Sequence, residues 1–229
     1  MANPLIECVP NFSEGRDPHK IKQITDQIEK VRGIKLLNID SGKGTNRSVV
    51  TFVGHPDAVI EAAFRAIKKA AEVIDMRYHK GEHPRMGATD VCPLVPISGI
   101  SMDEIVEYAH RLGYRVGEEL GIPGYYYEYA ALQTNKKSLS DCRSGEYEGL
   151  ARKMDDEKWR PDFGPAVFNP KTGATVIGAR DFLVAYNINL NTTSTRRANA
   201  VAFDIREKGR VKRTGDPVTG EIERDDKGN

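Results

Sequence analysis

An α/β fold with a β-α-β-β-α-β core is predicted by three features of these 229 residues. Apolar runs of strand length stand at Leu5–Val9, Ile34–Asp40, Arg47–Gly54 and Val91–Ile97. Between them, two segments repeat apolar residues at helical spacing: Ile21, Ile24, Ile28 and Val31, then Val59, Ala62, Ala63, Ala66, Ile67, Ala70 and Ile74. Glycine, proline and polar clusters punctuate the boundaries. This order is the split βαβ, or ferredoxin-like, arrangement, with the helices expected on one face of the sheet.

The first strand ends at Pro10, and a polar loop, Asn11–Pro18, follows. Asp17 is positioned as an N-cap with Pro18 at the first helical position, and Gly33 marks the stop. The second strand ends at Asp40, and Ser41–Asn46 is a glycine-containing turn into the third. Asp57 is expected to cap the second helix. After the fourth strand, Ser101 and Glu104 form a capping box for a third helix over about 102–120. Gly124–Tyr129 reads as a fifth strand, its successive tyrosines pointing to alternate sheet faces. Residues 133–160 are polar, with a short helix around Tyr147–Met154. Trp159–Thr175 is rich in glycine and proline; a loop that long in a folded chain is usually functional or a linker.

Phe182–Leu190 is expected to be a strand, and 194–208 a helix with Ala198, Val201 and Ile205 facing inward. The apolar signal then fades, and 209–229 reads as disordered or as a long exposed loop. A lone strand and helix make no independent core. The chain therefore divides into a domain over 1–178 and the beginning of a second over 179–229, as in a fragment of a longer protein.

Composition narrows the function classes. Hydrophobic content of 39% with 29% charged residues describes a soluble globular protein, and a net charge of +1 gives no global attraction to nucleic acid or membrane. No apolar run is long enough for a membrane span, and the N-terminus lacks secretory-signal features. Cys8, Cys92 and Cys142 lack CxxC spacing and read as buried, reduced thiols of a cytoplasmic protein. Nucleic-acid binding on such a sheet needs exposed aromatics on central strands, and the third strand offers only Phe52.

The loop between the second helix and the fourth strand is where chemistry concentrates: His79-Lys80-Gly81-Glu82-His83-Pro84-Arg85-Met86-Gly87. Its H-x-x-E-H spacing fits the inverted zinc-peptidase motif, but that motif needs both histidines on one helix, which Gly81 and Pro84 disfavour. No metal is expected. A general base is the alternative, with His83 stiffened by Pro84 and Asp40 as its orienting carboxylate. Arg47, Lys80 and Arg85 would suit an anionic substrate. A surface or helix-capping histidine is the competing structural reading.

These residues resemble glutamate formiminotransferase, the transferase part of formiminotransferase–cyclodeaminase. The likeness runs through Val9-Pro10-Asn11-Phe12-Ser13-Glu14-Gly15, Thr45-Asn46-Arg47, His79–Ala88, Asp90-Val91-Cys92-Pro93, Pro161-Asp162-Phe163-Gly164-Pro165 and Asn187-Ile188-Asn189-Leu190. The resemblance implies two ferredoxin-like subdomains, the first complete here, and no cyclodeaminase domain. It also implies formimino transfer from N-formimino-L-glutamate to tetrahydrofolate in histidine degradation, in a cytoplasmic homodimer. The catalytic histidine falls on His83 and its supporting aspartate on Asp40. Folate binding falls on Gly164, Pro165, Ala166, Val167, Phe168, Asn169, Pro170, Lys171, Thr172 and Gly173. Tetrahydrofolate is then a co-substrate, with no metal, nucleic acid or membrane partner. N-formylglutamate is the alternative donor, and a non-catalytic ligand-binding module the alternative class.

Overall fold

The computed structural model describes residues 3–184, 188 and 190–205, and the backbone of 213–214 and 221–222. The chain divides into two compact units, Met1–Phe182 and Leu183–Asn229. The first unit holds a seven-stranded sheet. Its strands are β1 (Leu5–Cys8), β2 (Asn11–Phe12), β3 (Ile34–Gly42), β4 (Arg47–Gly54), β5 (Thr89–Ser98), β6 (Gly124–Glu128) and β7 (Thr175–Ala179). β1 and β2 lie end to end, separated at Pro10, and both pair antiparallel with β4 and β5. With β3 against β4, this completes the ferredoxin-like order β3–β4–β1/β2–β5.

Local signals act as expected in most elements. Asp17 Oδ1 accepts the His19 and Lys20 amides at the start of α1 (Pro18–Glu29). Ser101 and Glu104 close a reciprocal capping box on α3 (Met102–Leu120). At α2 (Pro56–Val73) the N-cap is His55 rather than Asp57. Pro56 already occupies the first helical position, so Asp57 falls inside the first turn and pairs with Arg111 instead. One apolar layer, including Ile24, Ile28, Val59, Ala63, Ile67, Ile105 and Leu112, packs these three helices onto Ile6, Cys8, Val50, Phe52, Cys92 and Leu94.

The sheet continues past the ferredoxin-like core in a way the sequence did not reveal. Thr175–Ala179, of which only Thr175 is read from sequence, as the end of a loop, is β7, inserted parallel between β5 and β6. The tyrosine strand is thus the outer edge. Its faces alternate as read: Tyr126 enters the helix-side layer, while Tyr125 and Tyr127 join a second cluster. That second cluster buries Met86, Val91, Val176, Cys142, Leu150 and Met154 under α4 (Leu139–Arg143) and α5 (Glu146–Asp155). Helices on one face therefore describes α1–α3 only; Cys142, Leu150 and Met154 are enough to seat two short helices on the other face.

The second unit differs from expectation where it is described. Phe182, Leu183, Val184, Ile188 and Leu190 are exposed and form no strand; 185–187 and 189 lie outside the described residues. An apolar run becomes a strand only against a partner, and the described residues offer none. α6 (Thr195–Ile205) forms, but buries no residue: Val201 and Ile205 are exposed and Ala198 only half-buried. Most of 209–229 lies outside the described residues, apart from a two-stranded pair, β8 (Arg213–Thr214) with β9 (Glu221–Ile222).

Candidate active site

Four loops meet at one edge of the first unit. Asn46, at the end of the Ser41–Asn46 turn, joins three of them. Its Oδ1 accepts the Gly15 amide (3.0 Å), its Nδ2 donates to the Lys80 carbonyl (3.0 Å), and its own carbonyl accepts from His79 Nε2 (2.9 Å). It does so at φ +49°, a left-handed conformation that asparagine tolerates better than most residues. A side chain at Gly81 would place Cβ 2.1 Å from the Thr45 carbonyl, so the approach of the two loops requires glycine.

The glycine–proline loop closes the group. The Ala88 amide donates to the Thr172 carbonyl (2.8 Å), Ala174 to Met86 (3.1 Å), and Met76 to Lys171 (2.9 Å). Gly87 and Gly173 face each other in a backbone bridge. Gly173 has φ +64°, and an added Cβ would lie 2.1 Å from the Met86 carbonyl. Gly173→Ala is therefore expected to destabilise the fold by about 1–3 kcal/mol, read as a lowered urea midpoint. An unchanged midpoint would show that the loops meet differently.

The two histidines differ in how fully their rings are used. In His79, Nε2 donates to the Asn46 carbonyl and Nδ1 accepts from Arg85 Nε (3.2 Å). The ring is buried, neutral and fully used; burial pushes its pKa down. In His83, Nδ1 faces the Pro84 carbonyl (2.7 Å) and so carries the proton of the neutral ring, leaving the Nε2 lone pair open. Its pKa is also lowered, by burial first and then by the Arg47 charge. The segment is not helical, so the zinc-peptidase geometry does not form. Among the described residues no group of three or more His, Cys, Asp or Glu could hold a metal.

The expected cations separate in the same way. Arg85 is committed to structure: besides His79, Nη1 bonds Glu146 (3.0 Å) and Glu148 (2.8 Å), and Nη2 bonds Glu148 (2.6 Å), tying the loop to the start of α5. Lys80 is exposed, and its side chain lines an open cleft with Glu146 and Glu148. Arg47 is buried, donating to Asn11 Oδ1 (3.2 Å) and Asp90 Oδ2 (2.5 Å). Asp40 is exposed on β3 opposite Val49, a diagonal step from Arg47, and no hydrogen bond joins it to His83. The carboxylate whose charge acts on His83 is Asp90.

Within 164–173, Pro165, Ala166, Val167 and Pro170 are exposed at the tip. Phe168 is half-buried and lies 5.5 Å from the Tyr147 ring. Asn169 Oδ1 accepts the Lys171 and Thr172 amides, and Gly164 turns at φ +74°.

The sequence did not single out Asp90, which the structure places at the base of the histidine loop. A β-bulge makes it the extra residue between Thr89, opposite Phe12, and Val91, opposite Asn11. The bulge turns the carboxylate towards Asn11 and Arg47, away from the helix layer. Oδ1 accepts the Met86 amide (3.0 Å), and Oδ2 receives both Arg47 and Arg143 Nη2 (2.6 Å). An aspartate opening the apolar run Val91–Val95 was the available signal, since a carboxylate buried there needs a cation. Arg143, in a polar stretch, gave none.

Fold and loop geometry together define the class: a ferredoxin-like α/β domain extended by two parallel strands, with a neutral histidine on a loop bonded to a glycine–proline loop. The chain belongs to the formiminotransferase family, matching the formiminotransferase domain, N-terminal subdomain, over residues 5–180. It is 51% identical over 208 residues to a formimidoyltransferase-cyclodeaminase of Dictyostelium discoideum, covering 91% of this chain and 38% of that protein. It is 50% identical over 206 residues to a glutamate formimidoyltransferase of Thermoplasma acidophilum (89% and 68%). With one of Streptococcus pyogenes it shares 43% over 205 residues (90% and 69%). The chain thus spans well under half of the two-activity relative and about two thirds of the single-activity ones.

Proposed function

We propose that the protein transfers the formimino group of N-formimino-L-glutamate to N5 of tetrahydrofolate, giving 5-formiminotetrahydrofolate and L-glutamate. The observation that carries this reading is His83. Its tautomer is set by the Pro84 carbonyl, its Nε2 lone pair is open, and its loop is bonded to the Gly164–Gly173 loop. Attack by N5 on the formimino carbon makes N5 acidic. His83 Nε2 takes that proton and returns it to the departing glutamate nitrogen. No step runs through a metal.

The remaining assignments rest on the same reading. Gly164–Gly173 binds folate with its exposed tip, and Lys80 and Arg47 attract the glutamyl carboxylates, with Arg85 acting through its hold on the histidine loop. Asp40 keeps its proposed supporting role without a direct hydrogen bond to His83, from its place on β3 a diagonal step from Arg47. Residues 1–178 form the first subdomain and 179–229 begin the second. The protein works in the cytoplasm as a homodimer, in keeping with its three free, buried cysteines and its family. No helix among the described residues is long and apolar enough to cross a membrane.

The test supplies purified protein and tetrahydrofolate with N-formimino- or N-formyl-L-glutamate. Faster turnover of the formimino donor is expected; preference for the formyl donor would replace the reaction. The pH profile adds a signed prediction. A base must be neutral, and the His83 pKa lies below its ordinary 6.5. Hence kcat/KM should fall towards acid as His83 is protonated, with the midpoint of that limb below pH 6.5. An acid limb centred above 6.5 would give the base role to another group.

A further inference from the structure

We propose that Arg143, together with Arg47, binds one carboxylate of the glutamyl donor beside His83. This rests on the transfer reaction proposed above. The cluster is electrostatically incomplete: two guanidiniums converge on the single carboxylate of Asp90, which is fully buried. The side chains of Arg47 and Arg143 are only 7% and 15% exposed. Two buried positive charges against one negative leave an excess that a folded protein compensates with a further anion. Arg143 Nε is buried without any acceptor, which buried donors rarely are.

The nearby acids do not supply that anion. Glu146 and Glu148 are bonded to Arg85. Arg47 directs Nε to Asn11 and Nη1 to Asp90, which leaves its Nη2 and the Nη1 of Arg143 without protein acceptors among the described residues. Each belongs to a planar guanidinium, the kind of group that recognises a carboxylate.

Position supports the assignment. Arg143 ends α4, and Lys153 Nζ fixes that end by donating to the carbonyls of Asp141 (2.6 Å), Cys142 (2.8 Å) and Ser144 (3.2 Å). Asp90, the carboxylate that both guanidiniums share, accepts the amide of Met86, three residues along the loop from His83, and both positive charges lower the His83 pKa. A carboxylate held there would set the rest of the donor next to the open Nε2. It would also neutralise the excess charge as the donor binds.

L-glutamate, the reaction product, is the probe, with L-glutamine and L-isoglutamine as its two single amides. Isothermal titration should show glutamate binding to Arg143→Gln weakened at least about tenfold, as expected for a lost charge-assisted bond. Tetrahydrofolate affinity should be kept. The preference for glutamate over one of the two amides should collapse, because the residue reading that carboxylate is gone. Arg143→Lys, which keeps the charge and loses the fork, should fall between.

Wild-type glutamate affinity in Arg143→Gln overturns the proposal, as does equal weakening of glutamate and both amides. Should Arg143→Gln fail to fold, the same titration of Arg143→Lys decides by the same criteria. Wild-type protein that transfers formimino groups while its variants bind glutamate normally removes the carboxylate site alone. Wild-type protein that binds glutamate through Arg143 but transfers nothing removes the reaction alone.

Discussion

His83→Ala is expected to lower turnover by at least ~10²-fold, the scale of a removed general base, while tetrahydrofolate affinity stays within about twofold. The asymmetry follows from the loop. His83 donates only to the carbonyl of its own neighbour, so its removal breaks no contact between loops. His79 joins Asn46 to Arg85, and its substitution would loosen the whole cluster. Stopped assays at saturating substrates, alongside folate titration, separate chemistry from binding. Undiminished turnover in His83→Ala would return His83 to a structural role and favour a non-catalytic ligand-binding module.

Asp90→Asn should cost about 3–5 kcal/mol of stability, the range found when one partner of a buried ion pair is removed. The amide can still accept the Met86 bond made by Oδ1, so the loss isolates the charge. What remains is two guanidiniums, both largely buried, with nothing between them but an uncharged group. Urea unfolding at pH 7 reads the effect as a lowered midpoint with an unchanged slope. A shift below about 1 kcal/mol would mean that water reaches the cluster freely, as for exposed pairs.

The sequence made the ferredoxin-like core legible because its signals are local. Asp17 and Ser101 cap helices with their own side chains, and the apolar faces of α1–α3 repeat within single segments. β7 was not legible for the opposite reason. Thr175–Ala179 follows a run of turn residues, and what makes it a strand is β5 on one side and β6 on the other. Phe182–Leu190 shows the converse: strong strand composition without a neighbour gives no strand among the described residues.

The site divides likewise. A loop dense in histidine, cations and glycine announced itself. Which histidine is open and which cation is spoken for depends on Asn46, Glu146 and Glu148, all remote in sequence from the groups they bond. Asp40, chosen for its place at a strand end, lies near Arg47 on the sheet yet makes no bond to His83. The bulge that aims Asp90 is a property of paired strands, which one strand's sequence does not carry.

The loop contacts made by residues 171–174 also set an order of events during synthesis. The sheet order β3–β4–β1/β2–β5 is encoded before residue 100 and can assemble early. Asn46 and Asp90 can already bond the His79–Gly87 loop at that stage, but Gly173 and Ala174, which meet Gly87 and Met86, are translated some eighty residues later. A nascent chain of that length can therefore hold its scaffold in place while the Met86–Gly87 end of the histidine loop still lacks its partners. That end of the loop is completed only by residues 173–174, directly before β7, the strand that joins β5 to β6.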